Sequence, residues 1–113
     1  MKKVFFLTEK SISEQEIRKI LYRLIQEGYT YFICFAKNRT DILILKTLKL
    51  LKQEGKRISV ELVCSDKNMN LPQHIQEDLY RGCDDFCFID NFSKDQKIQE
   101  YYLIKRANLA SEL

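Results

Sequence analysis

Glycine is scarce in this sequence, with three residues in 113. Gly28, Gly55 and Gly82 each fall where a helical pattern stops, and the loop between Phe35 and Asp41, which joins a strand to the next helix, contains none. A glycine-rich phosphate cradle is therefore missing from the crossing where a βα protein would normally carry one. Histidine is scarcer still. His74 stands alone, in the first turn of a short helical pattern, with no serine or cysteine nucleophile paired to it by any motif. The four cysteines, Cys34, Cys64, Cys83 and Cys87, lack zinc-site spacing, and Cys83 and Cys87 are separated by three residues rather than two. No metal or other cofactor is expected, and no residue is assigned a catalytic role.

No run approaches ~18 uninterrupted apolar residues, so no membrane span is expected. The opening Met1-Lys2-Lys3-Val4-Phe5-Phe6-Leu7 has the charge and apolar run of a short leader, but Glu9 and Lys10 interrupt it too early. It reads as a first strand. Four cysteines without an export signal fit reduced thiols, and hence a cytoplasmic location. Internal repeats, low-complexity stretches and linkers are all missing, which points to a single domain over 1–113.

Apolar residues make up 45% and charged residues 31% of the chain, which excludes a disordered polymer. Nineteen basic and sixteen acidic residues leave a net charge of +3. They alternate along helix faces rather than forming a basic stripe, so a nucleic-acid partner is not expected. Tyr29, Tyr31, Tyr80, Tyr101 and Tyr102 lack interleaved cations and read as core or interface residues rather than base-stacking platforms.

Val4 to Leu7 fits a buried strand. Ser13-Glu14-Gln15-Glu16 is a capping box, flanked by Ile12 and Ile17 at the staple positions. Ile17, Ile20, Leu21, Leu24 and Ile25 then repeat at helical spacing up to Gly28. Tyr31 to Phe35 forms a second strand. A second helix runs from Asp41 to Glu54, with Thr40 as cap and Gly55 as stop. Its apolar face is broad enough to imply a neighbour on a second side, such as another subunit, so a homo-oligomer is expected. Ile58 to Cys64 is a third strand and 65–71 a polar loop. Pro72 opens a short helix to about Arg81, Phe86 to Ile89 is a fourth strand, and a last helix covers Lys94 to about Ser111. The alternation predicts an α/β fold of three layers, with four mainly parallel strands and helices on both faces. It has no strand after the last helix.

Several local words resemble the SLOG superfamily of SMF/DprA and LOG proteins, and most of all its YpsA-like branch. Leu24-Ile25-Gln26-Glu27-Gly28-Tyr29-Thr30-Tyr31-Phe32-Ile33, followed by Asp41 and Lys49-Leu50-Leu51-Lys52, matches a helix ending L-I-x-E-G-x-x-x-F-I before a loop S-G-x-A-x-G-x-D. Gln73, Tyr80 and Asp84-Asp85 echo a Q…Y…A-D segment, and Lys105-Arg106 with Asn108 a K-R-N helix. The resemblance implies a Rossmann-like domain that binds a nucleotide or nucleotide derivative at the C-terminal edge of its sheet. The chain departs from the pattern where Phe35 and Arg39 replace the two loop glycines. It departs again where Thr8-Glu9-Lys10 replaces a G-H-R word, and where no final strand follows the K-R-N segment.

The candidate ligand-binding residues are Thr8, Phe35, Lys37, Arg39, Asp41, Ser65 and Asp90. Thr8, Ser65 and Asp90, like Asp66 and Asn91, follow strands and so line one edge. Asp41 either contacts a ribose hydroxyl or merely favours the helix N-terminus. Lys37 and Arg39 either hold a phosphate by charge or are solvated loop cations. Three functions follow: a small nucleotide-binding domain without catalysis, a dimeric interaction protein with a dead pocket, or, by family analogy alone, a nucleotide or N-glycoside hydrolase.

Overall fold

The computed structural model describes residues 1–66 and 71–113. Most of the loop expected over 65–71 thus lies outside the described residues. The strands are β1 (Lys2–Leu7), β2 (Tyr29–Cys34), β3 (Ser59–Cys64), β4 (Asp85–Phe88) and β5 (Leu109–Glu112). Between them run the helices α1 (Glu14–Gln26), α2 (Arg39–Gln53), α3 (Gln73–Arg81) and α4 (Gln96–Arg106), with a short 3-10 turn at Ile89–Asn91. The strands form one sheet in the order β4-β3-β2-β1-β5, and each neighbouring pair is parallel.

The sheet has five strands rather than the expected four. The last helix stops at Arg106, because Ala107 turns extended and the Asn108 amide donates to the Lys3 carbonyl at 2.8 Å. The Asn108 side chain accepts the Lys3 amide in return, at 2.7 Å. The chain then runs beside β1, with Val4 opposite Leu109 and Leu7 opposite Glu112. The final strand, which local sequence signals do not mark, is therefore present.

The remaining elements follow from local chemistry. Ser13 caps α1 by accepting the Glu16 amide at 3.2 Å, and Gly28 takes the left-handed conformation just past its end. α2 begins two residues before the expected Asp41, because Asn38 and not Thr40 is its cap: the Asn38 side-chain oxygen accepts the Asp41 amide. Thr40 is spent elsewhere, donating to the Lys10 carbonyl at 2.8 Å.

Three helices cover one face of the sheet and one covers the other. Val4, Phe6, Phe32, Val60 and Leu62 meet α1, α2 and α3 on the first face, where Phe6 and Phe32 stack. Phe5, Tyr31, Ile33, Phe35 and Val63 meet α4 through Leu103 on the second, where Phe5 packs edge-on against Phe35. Moving outward from β1 to β4 with helices on one face, then returning to β5 across the other, is what right-handed crossovers require. The broad apolar face of α2 is explained within the chain. It packs against α1 and α3 as well as the sheet, so its second neighbour needs no second subunit.

Candidate functional site

At the β2–α2 crossing the helix start is occupied by the chain's own carboxylate. Asp41 is 2% exposed. One of its oxygens accepts the Thr8 hydroxyl at 2.6 Å, and the other accepts the Lys37 amide at 2.9 Å. Asn38 closes the arrangement, donating its side-chain amide to the Thr8 carbonyl and hydroxyl oxygens while its own oxygen takes the Asp41 amide. Burial pushes the Asp41 carboxyl up from its ordinary range, against the lowering effect of the Thr8 hydroxyl and of backbone amides. An external phosphate here would have to displace this carboxylate from the amides it already satisfies.

Phe35 is buried and packs into the core on the α4 face, and it also edges the small recess beside Thr8 and Asp41. The Lys37 ammonium lies 3.6 Å from the centre of its ring. Arg39 is exposed at the first position of α2 and lines none of the recesses described below. Asn38→Ala would leave the α2 start uncapped, and a loss of about 1 kcal/mol is expected in urea unfolding.

A pair of small recesses lies one crossing further along the sheet edge. The connection after β3 leads to α3 on one face, and that after β4 leads to α4 on the other. The chain therefore parts above the carboxyl ends of β3 and β4, where open α/β sheets form their crevice. A recess of about 150 Å³ sits there, lined by Lys37, Ser65, Asp66, Asp90, Lys94, Gln96 and Gln99. A second, of about 140 Å³, shares Ser65, Asp66 and Asp90 and adds Cys64, Phe88 and Asn91. A third, of about 120 Å³, shares Lys37 with the first and reaches Thr8, Phe35 and Asp41.

Asp90 is the fixed point of the crevice. One carboxylate oxygen accepts the Asp66 amide at 2.8 Å, and the other accepts the Gln99 side-chain amide at 3.0 Å. The Asp66 amide first, then Gln99, holds its carboxyl below the usual range, so it is ionised at neutral pH. Gln99 is buried and donates also to the Ser93 carbonyl at 2.6 Å, which anchors α4 over the crevice. Two cations, Lys37 and Lys94, face two carboxylates, Asp66 and Asp90.

Of the residues singled out from sequence, Ser65, Asp90 and Lys37 come together in the first recess, while Thr8, Phe35 and Asp41 lie in the third. Phe88, Lys94, Gln96 and Gln99 were not foreseen. Phe88 had a weak signal as an aromatic at the end of a short strand, but the α4 residues are brought in by tertiary packing alone.

Among the described residues Cys64 is the one thiol that lines the crevice. Burial pushes the Cys64 thiol up to about 11, and Cys83 up to about 12. His74 is exposed on α3 and does not line the crevice. Among the described residues no three His, Cys, Asp or Glu side chains are grouped to hold a metal, and no helix is long and apolar enough to cross a membrane. The chain matches no family model, no curated protein and no solved structure.

Proposed function

We propose that this protein is a small-molecule-binding domain of Rossmann-like type, and that its ligand is a nucleotide or nucleotide derivative held over β3 and β4. The observation that carries this reading is the parting of α3 and α4 to opposite faces, with an ordered carboxylate, Asp90, at the bottom of the gap. The resemblance to the SLOG superfamily points the same way, since β5 now follows Lys105, Arg106 and Asn108 where that pattern expects a strand. The site binds rather than turns over its ligand. Its one described thiol, Cys64, is protonated at neutral pH, and the chain's one histidine lies outside the described lining. The alternative of a dimeric interaction protein drew on the apolar face of α2, which is largely spent on α1 and α3.

A thermal-shift panel of nucleosides and nucleotides tests the reading. A compound at ~100 times its dissociation constant adds about 2.7 kcal/mol to stability, a rise of several degrees in melting temperature. Asp90→Asn should abolish that rise while the free protein still melts cooperatively. A flat response across the panel, or a rise that survives Asp90→Asn unchanged, contradicts the assignment.

A further inference from the structure

We infer that the crevice recognises its ligand at the nucleoside level: a flat ring stacked on Phe88, sugar hydroxyls on Asp90, and no phosphate contact. This rests on the binding reading above and narrows the ligand class. Four helices start at this edge. α1 is capped by Ser13, and α3 starts outside the described lining without a side-chain cap. α2 and α4, whose starts border that lining, have their N-termini filled from within. Asp41 occupies that of α2. On α4, a single Asp95 oxygen accepts the amides of Lys97 at 2.9 Å and Ile98 at 3.2 Å. Each carboxylate cancels the positive end of its helix and repels a second anion. Nor does the loop backbone provide a substitute. Among the described residues positive φ occurs only at Gly28 and Gly55, both at the far ends of helices, so no anion-binding nest forms between β2 and α2. The cations that remain, Lys37 and Lys94, share the crevice with Asp66 and Asp90. Among the described residues the lining carries no net positive charge for a phosphate.

What the crevice does offer suits an uncharged ligand. Phe88 ends β4 with 59% of its surface exposed, on the wall of the recess that holds Ser65, Asp66 and Asp90. A ring laid on it would cover apolar surface that the fold leaves in water. Each oxygen of Asp90 already accepts one hydrogen bond, which fixes the carboxylate plane. A carboxylate oxygen has two acceptor positions, so among the described residues each has one beyond these hydrogen bonds for a ligand hydroxyl. A pair of neighbouring hydroxyls matches that spacing, as on a ribose.

Calorimetric titration with adenosine, guanosine, cytidine and uridine, each beside its 5′-monophosphate, tests the inference on the full chain. At least one nucleoside should bind, its monophosphate no tighter, and its affinity should change less than about two-fold between low and high salt. Phe88→Ala removes an exposed side chain and should weaken that nucleoside about five-fold or more, with the melting temperature of the free protein unchanged. A monophosphate binding about ten-fold tighter than its nucleoside, and losing affinity with salt, would overturn the phosphate-free mode while leaving the crevice as the site. Binding that Phe88→Ala leaves intact would overturn the stacking. Failure of all these compounds to bind would overturn the inference and the binding reading together.

Discussion

Glu61→Ala is expected to lower the free energy of unfolding by about 3 kcal/mol, read as a fall in the urea midpoint at unchanged slope. Glu61 sits in the middle of β3, on the face covered by α4, and is 3% exposed. Arg106, the last residue of α4, donates to both its oxygens at 2.8 Å, and the Tyr31 hydroxyl donates to one of them. Removing the carboxylate leaves the guanidinium facing an apolar wall. The penalty falls near the lower end of the range for broken buried pairs, because the Arg106 side chain keeps 27% exposure and can turn to water. Glu61→Gln preserves shape and part of the hydrogen bonding, so about half that loss is expected. The Tyr31 hydroxyl oxygen also lies 3.0 Å from an Asp85 carboxylate oxygen, so its single proton is shared between two acceptors and β2, β3, β4 and α4 meet at one point.

Asp41→Ala should cost about 2 kcal/mol, since it strands the Lys37 amide and the Thr8 hydroxyl at a buried helix start. Asp41→Asn should cost far less, because an amide can accept from Lys37 and donate to the Thr8 oxygen. The pH dependence separates the two acidic residues. Burial raises the Glu61 carboxyl, but Arg106 and then Tyr31 outweigh it, and the net position is below the ordinary value. Its stabilisation is therefore present above the unfolded value and lost as pH falls through the folded one. Asp41 lies the other way. Burial leaves it above its ordinary value, so its contribution is complete below the unfolded value and lost as pH rises through the folded one. Urea midpoints measured from acid to neutral pH should show Asp41→Asn gaining on the wild type as pH rises. Glu61→Gln should lose ground over the same range.

The sequence reveals most of the fold because the signals are local. Ser13 and Gly28 bracket α1, and apolar runs mark the first four strands, as the structure bears out. β5 is not legible for a tertiary reason. No glycine or proline follows Arg106, and Ile104 and Leu109 continue a helical spacing. The helix is ended instead by Asn108 pairing with the backbone of Lys3, more than a hundred residues earlier. The breadth of α2 was legible as apolar surface, but whether a subunit or a sister helix covers it depends on packing order. Glu61 did leave a trace, as the one charge within the apolar run Ile58 to Cys64. The edge residues Thr8, Ser65 and Asp90 were found by their position after strands. Lys94, Gln96 and Gln99 could not be, because α4 reaches the crevice only by crossing back over the sheet.

Amide chemical-shift mapping during titration with the tightest-binding nucleoside is the most direct test. Shifts centred on Ser65, Asp66, Phe88, Asp90 and Gln99, with Arg39 to Asp41 little changed, are the expected result. Shifts centred instead on the amides of Arg39, Thr40 and Asp41 would place the ligand at the start of α2 and contradict the assignment of the β3–β4 crevice.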